Sequence, residues 1–304
     1  MDRILEYEIP SEYDGANITT VLKQHFKIST NLIKDLKKYK EGIQVNGEHK
    51  RVVDFVAKGD ILKITIRDTA SENIVPTDIP LDIVYEDEDV LVINKLPNMP
   101  THPSMGNYEN SLANGVMYYY KSKGEERVFR AVNRLDKDTS GLMAVAKNSY
   151  IHARLGEEIQ KKELKRKYMC IVCGDVEHDG TVDAPIRRAD GSVINRIVAP
   201  DGQRAVTHYR VIKRYREYTL LEMELETGRT HQIRVHMAYI GHPLVGDWLY
   251  GTEDHNIAKR QMLHSCYLCF THPITGQIME FKDEMAEDMR AFIEKTFVKS
   301  LKKQ

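Results

Sequence analysis

The chain alternates between two apolar rhythms. Near the N-terminus the period is helical. In NITTVLKQHF (17–26), Ile18, Val21, Leu22 and Phe26 fall on one face, with Asn17 placed to cap it. Ser29 and Thr30 open a second helix with Leu32, Ile33 and Leu36 inward and Gly42 just past its end. Its other face carries Lys34, Lys37, Lys38 and Lys40. Two short β runs follow, GIQVNG and DILKITI. Residues 68–80, DTASENIVPTDIP, are polar, twice broken by proline, and read as a linker. Beyond them β-type runs dominate: DIVYEDEDVLVINK, VFRAVNRL, LMAVAK, KYMCIVCG, AVTHYRVIKRY and YTLLEMELETG. Helices are expected near 110–122, 150–166 and 283–298, the last with Met285, Met289, Phe292 and Ile293 on one side. Many strands with few helices between them predict an α+β fold with a mixed, mainly antiparallel sheet. The expected organisation is a small α/β domain over 13–67, a linker over 68–80 and a larger domain over 81–300.

Composition narrows this picture modestly. With 304 residues, 41% hydrophobic and 29% charged, the chain can bury a sizeable core. Its 44 basic and 45 acidic residues nearly cancel, so only local clustering speaks about partners. Residues 23–63 hold ten Lys or Arg against five Asp or Glu, which suits a phosphate-backbone binder or a solvated lysine face. No run of 18 apolar residues exists, so no membrane span is expected. The start MDRILEYEIP lacks the basic and apolar blocks of a signal peptide, and a cytoplasmic protein is the simplest expectation.

Four cysteines form two CxxC pairs, Cys170/Cys173 and Cys266/Cys269. Both lie in apolar β-type runs without the Gly or Pro of a zinc knuckle. Residues three apart on a strand face opposite ways, so these are expected to be core residues and no metal is expected.

The candidate chemistry lies where charge interrupts β pattern. VNRLDKDTSGLMAVAKN (132–148) sets Arg134, Asp136, Lys137 and Asp138 between apolar runs. A solvated turn would explain it, and so would an acid at the end of a core strand. ETGRTHQIRVHMAYIGHPLVGD (226–247) is a second such segment, and EDVLVINKLPNMPTHPSMGN (88–107) a third. If 232–235 is a strand, Arg234 and Gln232 share one face and Ile233 and Val235 the other. An arginine beside an acid favours the carboxylate, either for chemistry or as a structural ion pair, and spacing alone leaves both open. On a strand His231 and His236 face opposite ways, against a metal cluster, and Glu222, Glu224 and Glu226 read as the wet face of a half-buried strand.

These three segments, in this order, resemble the RluA-type pseudouridine synthase family. NRLDKDTSGL matches its catalytic block, TGRTHQIRVHMAYIGHPLVGD its arginine block, VLVINK…HPSMGN its first block and HSCYLCFTHPITG (264–276) its C-terminal stretch. The N-terminal region, with V-N-G at 45–47 and Val56, Gly59, Asp60, Leu62 and Ile64, resembles the S-four-type RNA-binding domain. The resemblance implies that Asp136 is the catalytic aspartate, which attacks or deprotonates the ribosyl moiety of a target uridine. Tyr168 would stack on the uracil and help remove the proton from carbon 5, and Arg234 would pair with the aspartate. Arg134 would fill the space left by the flipped uridine. Arg229 and His231 would also contact substrate, as would Lys34, Lys37 and Lys38 on the N-terminal domain. The reaction is an isomerisation that needs no cofactor, and the sequence carries no P-loop, G-x-G-x-x-G or HExxH pattern.

Extruding a uridine from folded RNA costs a few kcal/mol of unstacking, which cationic contacts to flanking phosphates offset. Lys161, Lys162, Lys165, Arg166 and Lys167, with Arg187, Arg188 and Arg196, are the candidate rim. Three features depart from the family pattern, the first being the proline of the usual Asn-Lys-Pro, displaced by one to Pro97 in Asn94-Lys95-Leu96-Pro97. Asn133 stands where the catalytic block usually has His, and Asn98 stands for a glycine, feasible because Asn visits left-handed backbone conformations. The expected partner is structured RNA, ribosomal RNA ahead of transfer RNA, bound by a monomer. A non-catalytic RNA-binding factor and a hydrolase using Asp136 are the competing readings.

Overall fold

A computed structural model describes residues 2–67, 74–215, 217–251 and 258–301. The N-terminal unit contains β1 (Arg3–Glu8), α1 (Ile18–Gln24), α2 (Thr30–Leu36), β2 (Ile43–Val45), β3 (Glu48–His49) and β4 (Ile61–Ile66). Its strands form an antiparallel sheet in the order β1-β4-β2-β3. Both helix starts are capped as their sequences predict: the Asn17 side chain accepts from Thr20 N at 2.9 Å, and the Ser29 hydroxyl from Leu32 N at 3.2 Å. Asn46 and Gly47 both adopt positive φ (53° and 82°), the backbone a two-residue hairpin demands. Two details differ from the sequence reading. β1 lies ahead of residue 13, and α2 stops six residues short of Gly42, which instead packs against the Leu36 carbonyl, where a Cβ would sit 2.0 Å from the oxygen.

The larger unit runs β5 (Asp82–Glu86), β6 (Val90–Lys95), α3 (Leu112–Ser122), β7 (Ser140–Ala146), α4 (Ser149–Gln160), β8 (Lys165–Cys173), β9 (Gly180–Asp183), β10 (Ile186–Arg188), β11 (Arg196–Val198), β12 (Val206–Arg214), β13 (Tyr218–Leu225), α5 (Gln232–Tyr239), β14 (Leu263–Thr271), β15 (Ile278–Lys282) and α6 (Glu287–Leu301). Among the described residues, nine of these strands form one sheet, ordered β5-β6-β7-β14-β8-β13-β12-β9 with β15 added on β14. Pairing is antiparallel except for β7 with β14. β10 and β11 form a separate hairpin. The fold is thus α+β, with a mixed and mainly antiparallel sheet.

β7 is buried at all seven positions, which explains why SGLMAVA shows no polar alternation. Its first residues meet β14 closely: Gly141 has φ 109°, and a Cβ there would lie 2.2 Å from the Ser265 carbonyl oxygen. The turn carrying Asp136 therefore enters the sheet at a point where only glycine fits.

The two units share one hydrophobic cluster. Leu5, Phe26, Ile28 and Ile66 belong to the same contiguous core as Val90, Leu142, Tyr150 and Phe270. Arg3 makes two 2.9 Å hydrogen bonds to buried Asp89, and the Tyr150 hydroxyl donates to the Phe26 carbonyl at 3.0 Å. Of the expected linker, 68–73 lies outside the described residues. The remainder is packed: Thr77 N donates to the Asn114 carbonyl at 3.1 Å, and Asn114 Nδ2 to that of Val75 at 2.7 Å.

Three elements differ from their sequence expectations. α4 ends at Gln160, Lys162 turns with φ 62°, and β8 begins at Lys165, so the helix expected through 166 is cut short. The charged run KKELK offers only Leu164 for burial, too little for a helical face, and the β-rich KYMCIVC claims the residues after it. β15 and a short connection displace the start of α6 to Glu287. Most important, 232–235 is the first turn of α5 and not a strand. Ile233 and Met237, four apart, sit in the central core, while Gln232 and His236 share another face. Local alternation of R/Q with I/V concealed this longer period.

Candidate active site

Asp136 sits in the turn between Leu135 and β7, and Thr139 N donates to its carbonyl at 3.1 Å. Lys95, at the end of β6, ties this turn to the first block. Its buried ammonium donates to the carbonyls of Leu96, Met99 and Lys137 at 2.8, 2.8 and 3.0 Å. Burial pushes Lys95 down to about 7, against the pull of Asp138 and Asp136. Asn98 in that block has φ 59°, the left-handed conformation that lets it stand in place of glycine. The Thr101 hydroxyl completes the attachment by donating to the Leu135 carbonyl at 2.8 Å. Asn133 accepts from Ala144 N at 3.0 Å through its side-chain oxygen, so it serves as a strand-edge acceptor beside the turn.

Arg234 projects from α5 into the same space. Its Nε and Nη2 bind the fully buried Asp247 carboxylate at 2.7 and 2.9 Å, which leaves Nη1 to donate to Asp136 Oδ2 at 3.1 Å. Burial works against the guanidinium charge, but the hydrogen bonds and charges of Asp247 and Asp136 outweigh it and hold the group above its usual range. Asp247 also accepts from the backbone N–H groups of Leu249 and Tyr250, which fix its orientation. The Tyr250 ring packs 5.1 Å from the Arg234 guanidinium, and its hydroxyl contacts His231 Nδ1 at 2.8 Å. His231 Nε2 lies 3.8 Å from Asp136 Oδ2. Burial pushes the imidazole down, opposed by the Asp136 charge.

α5 is itself held by side-chain amide and imidazole groups. Gln232 accepts from the Thr227 hydroxyl and Arg229 N at 2.7 and 3.0 Å, and donates to Val206 O and Thr207 Oγ1 at 2.9 and 3.0 Å. His236 contacts the Ala184 carbonyl through Nε2 and Thr207 Oγ1 through Nδ1, both at 2.9 Å. The carbonyl can only accept, so Nε2 carries the proton, and Nδ1 accepts from Thr207. His231 and His236 are therefore five apart on a helix start, with one beside Asp136 and the other in the scaffold.

Tyr168 lies on β8, opposite Ser265 of β14 and Met223 of β13, and is almost fully buried. Burial pushes its phenol upward, with the Asp136 charge acting in the same direction. Asp136, Tyr168 and Arg234 line one cleft of about 600 Å³, together with Arg134, Arg229 and His231. The cleft walls also include Arg166 and Lys162. Lys34, Lys37 and Lys38 do not line it, and lie exposed on and just after α2 in the N-terminal unit. Sequence reasoning missed Asp247, Tyr250 and Gln232. The signal for Asp247 was present as the acid closing the HPLVGD run, but a Gly-Asp pair there reads as an ordinary turn.

Among the described residues, no group of three or more His, Cys, Asp or Glu side chains converges as a metal site. Cys170 and Cys266 are buried free thiols on the paired strands β8 and β14. No described helix is long and apolar enough to cross a membrane.

A partly buried acid clamped by a buried arginine, in a cleft of about 600 Å³ lined by further arginines, is the kind of site that receives an anionic substrate. The comparisons with known proteins specify the family. The sequence model of the RNA pseudouridylate synthases matches residues 89–239. The chain is 44% identical to an RNA pseudouridine synthase of Bacillus subtilis, YjbO, over 88% of this chain and 94% of that one. It is 40% identical to ribosomal large subunit pseudouridine synthase D of Pasteurella multocida, over 83% of this chain and 82% of that one. Human RNA pseudouridylate synthase domain containing 1 shares the fold, with a TM-score of 0.59 at 23% identity over 71% of this chain and 89% of that chain. The chain belongs to the RNA pseudouridine synthase family.

Proposed function

We propose that this RNA pseudouridine synthase acts on uridines of large-subunit ribosomal RNA and that Asp136 carries its chemistry. The observation that supports Asp136 is the asymmetry of its carboxylate. Oδ2 is held by Arg234, whereas Oδ1 has no hydrogen-bond partner among the described residues and the side chain is 25% exposed in the cleft. One oxygen is thus anchored and the other is available to a ribose carbon or its proton. The bond from C1′ to N1 breaks, uracil turns within the cleft, a bond from C1′ to C5 forms with loss of the C5 proton to solvent, and the freed N1 takes up a proton. The net change is an isomerisation.

Arg234 aims the carboxylate and balances its charge, and Asp247 fixes Arg234 so that neither must reorganise when substrate enters. Tyr168, whose phenol burial pushes upward, is suited to pack against the uracil face. Arg134, exposed at the mouth and free of hydrogen bonds and ion pairs among the described residues, is placed to fill the gap left by an extruded base. The N-terminal unit, with exposed Lys34, Lys37 and Lys38, is the proposed anchor for structured RNA. Relatives named as ribosomal large subunit pseudouridine synthase D support ribosomal RNA ahead of transfer RNA as substrate.

The test is tritium release from RNA labelled at carbon 5 of uridine, on unmodified ribosomal and transfer RNA transcripts. Release from large-subunit RNA by the wild type but not by Asp136→Asn is the expected result. Release confined to transfer RNA would overturn the substrate assignment, and release by the variant would overturn the role of Asp136.

A further inference from the structure

The cations that line the cleft are not equally available. Arg234 is spent on Asp247 and Asp136, and His231 on Tyr250. Lys162 is drawn off by Glu226 at 2.6 Å, a carboxylate that also binds His208 and Arg204. Arg229 uses Nε on the Arg204 carbonyl at 3.0 Å. Two guanidiniums remain without a hydrogen bond or ion pair among the described residues: Arg134 at the exposed mouth and Arg166 within the wall.

Arg166 is the unusual one. It lies two residues before Tyr168 on β8, so strand alternation puts both side chains on the cleft face. Its Nε is buried and lacks an acceptor. A buried donor left unsatisfied is costly, and an arginine can rarely be relieved of that cost by losing its proton. Its Nη1 and Nη2 lie along Gly228, where even an added Cβ would stay 3.7 Å away. Among the described residues no acceptor hydrogen-bonds or pairs with either of them. A planar fork with no internal acceptor, beside the residue proposed to hold the uracil, matches an acceptor that arrives with the substrate. The geometry matches a tetrahedral anion with two non-bridging oxygens.

We infer that Arg166 binds the phosphodiester adjacent to the target uridine and so locks the extruded nucleotide against Tyr168 and Asp136. The inference rests on the synthase reading and adds a residue that positions the substrate by its backbone and not by its base. It also separates the two free arginines, with Arg166 reading phosphate inside the cleft and Arg134 acting at its mouth.

The experiment uses a synthetic RNA spanning a uridine that the wild type modifies, with a neutral methylphosphonate placed singly on its 5′ or 3′ side. For the wild type, one of these substitutions should lower kcat/KM by about 10- to 100-fold, the scale of one charge-assisted contact. Arg166→Gln should lose a similar factor on unsubstituted RNA and lose little more on the methylphosphonate. Arg166→Lys should recover part of the loss, because an ammonium keeps the charge without the fork. Arg134→Gln should stay as sensitive to the methylphosphonate as the wild type. A wild type indifferent to both methylphosphonates overturns the inference without recourse to any variant. So does an Arg166→Gln protein, folded by its melting curve, that keeps full sensitivity to both. A wild type that forms no pseudouridine in any ribosomal or transfer RNA transcript, so that no such RNA can be made, instead fails the synthase reading, and this inference falls with it.

Discussion

Asp136 and Asp247 bind the same arginine and face different consequences if altered. Asp136→Asn keeps the shape of the side chain and removes its charge at the cleft surface. Turnover should fall below detection in the tritium assay, while RNA affinity in filter binding stays within about 2-fold, since an acid contributes nothing to phosphate binding. Asp247→Asn removes the buried partner of Arg234. Breaking a buried ion pair from one side costs about 3–5 kcal/mol, so urea unfolding should report a large loss of stability. The misdirected guanidinium should also lower kcat/KM by about 100-fold, the cost of a misplaced catalytic group. Asp136 and Arg234, which the structure brings within 3.1 Å, could be singled out in the sequence because each lies within an extended block that resembles one family. Asp247 could not, because its importance comes from being fully buried after a glycine turn, and burial is a property of the assembled fold.

At the scale of elements, charge and close packing hold the cleft-forming strands in place. Glu86, at the end of β5, contacts Lys147 after β7 at 2.7 Å and the Tyr119 hydroxyl and Lys123 Nζ of α3 and its cap at 2.5 and 3.0 Å. Burial pushes its carboxyl upward, but these donors outweigh burial and hold it at about 2, below its usual 4.5. A carboxyl depressed in the folded state stabilises fully above pH 4.5 and loses that contribution as pH falls toward 2. Glu86→Gln should therefore cost about 2 kcal/mol at pH 7, and the difference from wild type should shrink through that acid window in urea melts. Gly141→Ala should lower Tm by several degrees at least, since its Cβ cannot coexist with the Ser265 carbonyl without parting β7 from β14. Helix starts with Asn17 and Ser29 were readable from their caps. The helical state of 232–239 was not, because Arg234 and Gln232 alternate with apolar residues over just the four positions where a strand and a helix look alike.

For the whole molecule, the sequence suggests a domain, a linker and a second domain, whereas the two units pack through one core. The polar, proline-broken run 68–80 carries no sign of this, because the apolar residues of the shared core, among them Leu5, Phe26, Tyr150 and Phe270, lie outside it. Deleting residues 1–67 would uncover Leu142, Tyr150 and Phe270 to water, so the truncated chain should unfold at a lower temperature or aggregate, and it is a poor test of RNA anchoring. Converting Lys34, Lys37 and Lys38 together to Gln avoids that problem. If they bind phosphates, the slope of log affinity against log salt should become shallower by about 2–3, with the melting temperature unchanged.

The common core gives the enzyme a property that neither unit has alone. A module on a free tether explores many distances, and whatever it grips can present any nearby uridine to the active site. A module welded through Leu5, Phe26 and Tyr150 holds its lysine face at one distance and one angle from Asp136. If that face grips RNA as proposed, the protein behaves as a caliper: its choice of uridine becomes a choice of span between the gripped feature and the reacting base, and lengthening that span by a few base pairs should silence a good substrate without altering a nucleotide that touches the cleft.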